Sequence, residues 1–143
     1  MMRTILAIGA VVTMVVGSMG FVAGVAVAQQ RGARVYELRT YTTLPGRLPA
    51  LHKRFADHTL ALFAKHGMRN EQYFTPTDSV KAKTTLIYLL SHESEEAADR
   101  SWKAFRADPA WIAVRDASEA DGKILEKPPE RVFMMLAPFS PAK

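Results

Sequence analysis

Residues 34–42, RVYELRTYT, decide the reading of this 143-residue chain. Successive side chains of a strand point to opposite sides, so the stretch sorts into two rows. Tyr36, Leu38 and Thr40 form one, and Val35, Glu37, Arg39 and Tyr41 form the other. The first row suits the underside of a helix. The second sets an acid, a base and a phenol in line, and a strand that buried them would have to give each a partner. Leu44-Pro45-Gly46 follows as a turn, and then a long helical pattern begins.

In residues 47–66, Leu48, Leu51, Phe55, Thr59, Leu62 and His66 fall on one stripe at spacings of three and four. Pro49 suits the first turn, and Gly67 stops the helix with Lys65 and His66 near its negative end. Residues 68–75 read as a second strand, ended by Pro76-Thr77-Asp78-Ser79. Residues 83–91 are a third, richly apolar strand. A second helix covers 93–107, with Ser94 as its cap and Ala98, Trp102 and Phe105 as its apolar stripe. Asp108-Pro109-Ala110-Trp111 restarts the helix in a new direction as far as Gly122. Residues 131–139, RVFMMLAPF, form the last strand. This order predicts an α+β fold, a ferredoxin-like βαββαβ antiparallel sheet with its helices on one face.

The start of the chain reads separately. Residues 4–30 carry no charge, Arg3 precedes them, and Ala26-Val27-Ala28 is followed by Gln29-Gln30. That is the layout of a secretory signal peptide spanning 1–28, which predicts a periplasmic or secreted protein. The competing reading is a retained membrane anchor, since the 25 residues 4–28 would span about 37 Å as a helix. Glycines at 9, 17, 20 and 24 dilute the anchor, and Arg31, Arg34 and Arg39 crowd its outward side. Beyond the cut, 18 Lys and Arg face 14 Asp and Glu, interspersed. No basic block with interleaved aromatics grips nucleic acid. The absence of cysteine excludes disulfides, thiolate metal sites and cysteine nucleophiles.

The first strand with its Pro-Gly turn resembles the opening of the NIPSNAP family, whose domain begins Tyr-Glu-Leu-Arg-Thr-Tyr. Residues 101–111, SWKAFRADPAW, are similar to the family's segment ending in Asp-Pro-x-Trp. DHT at 57–59, KHGM at 65–68 and FTPTD at 74–78 look like the matching parts of bacterial members. The chain departs from many members at Glu71-Gln72-Tyr73-Phe74, where they have Gly and then Trp. The resemblance implies one domain over 34–140, of the dimeric α/β barrel group. That group holds cofactor-free monooxygenases and haem-handling enzymes, so the resemblance implies a fold and no single reaction.

The candidate site is Glu37, Arg39 and Tyr41, with Tyr88 from the third strand. In the fold implied, the sheet face away from the helices lines a cleft between paired subunits. There Arg39 would fork onto a carboxylate or other anion, Glu37 would orient it and Tyr41 would donate a hydrogen bond. The competing role is a structural Glu–Arg pair at the subunit interface. His52 and His66 lie about 21 Å apart along one helix, and His58 points to the far edge of the stripe, so the three share no metal ion. A single one, such as His66, could still ligate haem. The sequence nominates no metal and no cofactor.

A homodimer is expected on physical grounds. LIYLL and VFMML are apolar on both faces, as strands are when both sheet faces are covered. Two helices cover one face only, leaving on the order of 400 Å² of the other, comparable with the largest patches on soluble monomers. Two functions stay open from sequence. One is an exported dimeric binding or interaction module for a small anionic or amphipathic ligand. The other is a small oxygenase-like or haem-handling enzyme.

Overall fold

Residues 34–141 are described by the computed structural model, and the expected cleavage after Ala28 lies outside them. The strand that opens the domain, β1 (Val35–Thr42), becomes the inner strand around which the sheet is built. It pairs antiparallel with β3 (Thr85–His92) on one side and β4 (Glu130–Met134) on the other. Strand β2 (Arg69–Phe74) adds to the far side of β3, giving the order β2-β3-β1-β4 with every pair antiparallel. This is the ferredoxin-like arrangement that the element order predicts.

The first helix is not uniform. It runs as α1 (Leu48–Arg54), a π turn (Phe55–Thr59) and α2 (Leu60–Lys65). Within the wider turn the Leu60 N–H reaches back to the Phe55 carbonyl, and the Thr59 hydroxyl donates to the Arg54 carbonyl at 3.1 Å. One extra residue per turn shifts the stripe beyond it. Phe63, at 1% exposure, takes the fully buried place expected of Leu62. The remaining helices, α3 (Glu95–Ala107) and α4 (Pro109–Ser118), start as the sequence predicts. Ser94 Oγ accepts from the Ala97 N–H, and Asp108 Oδ1 from the Ala110 N–H.

Two ends differ from expectation. Helix α4 stops at Ser118 rather than Gly122. Strand β4 stops at Met134 rather than Phe139, because its partner β1 begins at Val35 and Tyr36 is already opposite Met134. The segment between them turns back to the sheet. Leu44 N–H bonds to the Ile124 carbonyl and Glu126 N–H to the Thr42 carbonyl, with Ile124 fully buried.

The larger correction concerns the faces of β1. Glu37, Arg39 and Tyr41 point toward the helices, and Tyr36, Leu38 and Thr40 line the open face. Glu37 is fully buried, and Tyr41 packs edge-on to Phe55 of the first helix. The open face is apolar: Val132 and Met134 flank Leu38 and Tyr36, and Leu89 lies opposite Leu38 on the other side. The polar row can be buried because α3 supplies its partners. The apolar row is left outward, with Val132 54% and Met134 36% exposed.

Candidate functional site

Glu37 is the anchor of the helix-side face. Its Oε2 accepts from the Trp102 indole N–H and lies on His92 Nε2, both at 2.8 Å, and its Oε1 accepts from Arg39 Nη1 at 3.0 Å. Burial works to raise the carboxyl's pKa, but the bonds from His92, Trp102 and Arg39 outweigh it and hold it below the ordinary 4.5. Glu37 is thus an ionised, fully engaged acceptor.

Arg39 lies one pleat further along, between that carboxylate and open space. Its guanidinium sits 4.4 Å from the Trp102 ring centroid and 5.7 Å from that of Tyr41. Burial opposes its charge, yet Tyr41, Tyr88 and Glu37 more than offset this, and its pKa is raised. Its Nε is buried with no hydrogen-bond partner. One edge of the fork is spent on Glu37 and another is not.

A second guanidinium, which the sequence pattern does not single out, faces the same space. Arg54 comes directly before the π turn, and its side chain is 3% exposed. Its Nη1 reaches Ser118 Oγ at 3.2 Å and Glu119 Oε1 at 3.4 Å, it stacks 5.2 Å from the Trp111 ring centroid, and its Nε has no partner. Burial pulls its pKa below the usual 12.5. The signal in the sequence was its position beside Leu51 and Phe55, at the edge of the apolar stripe. Its partners come from α4, more than sixty residues away. π turns recur at functional sites, and this one places Arg54, Phe55 and Thr59 together on the cavity wall.

Between these groups lies a cavity of about 350 Å³, within the range of small-molecule sites. Arg39 and Tyr41 form its floor. The first helix gives Arg54, Phe55 and Phe63, α3 gives Trp102 and Phe105, and α4 gives Trp111. Leu125 and Pro129, from the loop before β4, complete the rim. Both tryptophans of the chain line it.

The predicted site residues therefore divide. Arg39 and Tyr41 line this cavity. Glu37 lies behind Arg39, and Tyr88 is fully buried, stacked on Tyr73 with centroids 5.3 Å apart. The Tyr88 hydroxyl has no hydrogen-bond partner, and burial first of all lifts its pKa well above 10. None of the four lines a cleft on the open face. His52 and His58 are exposed, while His66 Nε2 and Lys65 Nζ both bind Asp108 Oδ2 at 2.7 Å. Among the described residues no group of three His, Asp or Glu is placed to hold a metal ion, and no helix is long and apolar enough to cross a membrane.

A model of the NIPSNAP family matches residues 36–141. No curated protein matches the chain. Among solved structures, a NIPSNAP family protein of unknown function from Agrobacterium tumefaciens is 24% identical, with a TM-score of 0.64 over 77% of this chain and 94% of that one. The monooxygenase ActVA-Orf6 of Streptomyces coelicolor, solved with nanaomycin D, is 21% identical with a TM-score of 0.52 over 79% and 95%. SnoaB, a cofactor-independent oxygenase from Streptomyces nogalater, is 16% identical with a TM-score of 0.55 over 77% and 99%. These likenesses are of fold.

Proposed function

This chain belongs to the NIPSNAP family, and from that premise we propose that it binds a small, flat, apolar-bodied molecule carrying an acidic oxygen, in the cavity between sheet and helices. The observation that carries this is the Arg39 guanidinium, stacked on Trp102 at the cavity floor with only Nη1 engaged, on Glu37. A charged fork in a wall that carries both indoles recognises a carboxylate or phenolate bidentately, and the aromatic lining receives an apolar ring. The site thus lies within one subunit. A naphthalene acid, 2-naphthoate, is the probe of choice, because both tryptophans line the cavity and report its occupation by fluorescence. Binding that weakens tenfold or more in Arg39→Lys, with the variant folded by circular dichroism, supports the assignment. Equal binding by the two proteins, or none by the wild type, overturns it.

A second reading follows from the two oxygenase folds. The same arginines would hold a hydroquinone as its phenolate, the form most easily oxidised by oxygen. Burial keeps Tyr73 and Tyr88 protonated, so neither is a ready base, and the substrate would have to be acidic itself. Oxygen uptake with hydroquinones, absent in Arg39→Lys, is its test.

Two further properties belong to the proposal. The protein is exported, on the strength of residues 1–28. It is also a homodimer, on the strength of the apolar open face, where Val132, Met134 and Phe74 are all at least 36% exposed.

A further inference from the structure

We infer that the cavity's ligand is two-headed, an apolar body with one acidic group at Arg39 and a second at Arg54, the second displacing Glu119 from the Arg54 guanidinium. The inference rests on the binding role proposed above and specifies its ligand class.

Arg54 is poorly served for a buried cation. Charge-assisted bonds to carboxylates are usually about 2.7–2.9 Å, yet its one carboxylate contact, to Glu119, is 3.4 Å, and its other partner is the Ser118 hydroxyl at 3.2 Å. A settled pair close by shows the contrast. Arg47 forks onto Asp121 with bonds of 2.7 and 2.8 Å and also binds two backbone carbonyls. Glu119 is free to leave. It sits at the end of α4, its side chain is 30% exposed, and rotation into water breaks one long contact to Arg54.

The aromatic frame places the two cations as a matched pair. Arg39 stacks on Trp102 and Arg54 on Trp111. Phe105 packs between the two indoles, with centroid distances of 5.6 Å to Trp102 and 4.4 Å to Trp111. Both arginines line the one cavity, so a ligand body lying along this frame can be met by each of them.

Charge points the same way. Arg39, Arg54, Arg106 and Arg115 line the cavity with one carboxylate, Glu119. Glu37 backs Arg39 and Asp116 pairs with Arg115. With Glu119 turned out, four arginines face two carboxylates, and a dianion restores neutrality.

The test compares two acids of one body on the full chain, 2-naphthoate and naphthalene-2,6-dicarboxylate, by tryptophan fluorescence and calorimetry. In the wild type the diacid should bind at least tenfold more tightly. In Glu119→Gln its affinity should rise several-fold further, while that of the monoacid stays unchanged. In Arg54→Gln the diacid's advantage should vanish. Glu119→Gln alters a half-exposed side chain, so it remains informative if Arg54→Gln fails to fold. Equal affinity of the two acids in the wild type, or equal tightening of both in Glu119→Gln, overturns the two-headed ligand. The single-headed reading survives that result if 2-naphthoate binding still depends on Arg39. If neither acid binds the wild type, both readings fall together.

Discussion

Glu37→Gln is the perturbation whose size the structure fixes best. The wild-type carboxylate is fully buried and receives Arg39 on one oxygen and His92 with Trp102 on the other. Glutamine keeps the shape but has one acceptor atom and one NH2 group. With the NH2 toward Arg39, two donors oppose each other. With the NH2 toward Trp102 and His92, the imidazole can shift its proton to Nδ1, which has no partner, and accept. The indole N–H has no such alternative. Either orientation strands at least one buried donor and removes the charge opposite Arg39, a loss of about 3–5 kcal/mol by analogy with broken buried pairs. Trp102→Phe leaves the carboxylate its bonds to Arg39 and His92 but loses the indole donor, about 1–3 kcal/mol, together with part of a buried ring. Urea unfolding followed by circular dichroism at fixed protein concentration measures both. A loss of about 3 kcal/mol moves the midpoint by roughly 1–3 M. A Glu37→Gln protein within 1 kcal/mol of wild type would refute the claim that this carboxylate organises the helix-side face.

Other outcomes follow from the same structure. Val132→Glu should convert the proposed dimer to a folded monomer by light scattering, because the Val132 side chain is exposed on the single chain but would carry a charge into the proposed sheet-to-sheet interface. A wild type that is monomeric at micromolar concentration removes the dimer altogether. Glu37 and Asp108 both have depressed pKa values, Asp108 chiefly through Lys65 and then His66. Their stabilisation is therefore present above the ordinary 4.5 and 3.8 and is lost as pH falls through the lower folded values. Unfolding free energy should be flat near neutrality and decline below about pH 4, less steeply in Asp108→Asn; an unchanged slope in that variant removes Asp108 from the account. Sequencing of the protein recovered from its native compartment should begin at Gln29, and a full-length product held in membranes would contradict export.

Much of the fold was legible because its signals are local. Pro45-Gly46 after β1, the Ser94 cap, and Asp108 followed by Pro109 each need only neighbouring residues, and each sits where the spacing placed it. The direction in which β1 faces was not legible. Alternation separates two rows but does not say which goes inward, and the charged row appeared unfit to lie beneath a helix. What makes it fit is the Trp102 indole N–H, sixty-five residues away, together with His92 across the sheet. The π turn was hidden because helical spacing fits the sequence on both sides of it, and only the exchange of Leu62 for Phe63 in the core reveals it. Arg54 was hidden for a similar reason, as its burial depends on Ser118, Glu119 and Trp111. Of the four candidate site residues, Arg39 and Tyr41 face one cavity, which lies between the sheet and the helices and not between two sheets.

The most direct measurement is a crystal structure of the full protein soaked with 2-naphthoate. The naphthalene ring should lie between sheet and helices, beside Trp102 and Phe105, with its carboxylate about 3 Å from the Arg39 guanidinium. Density for the acid on the open sheet face, beside Leu38 and Val132, with the helix-side cavity unchanged, would contradict it.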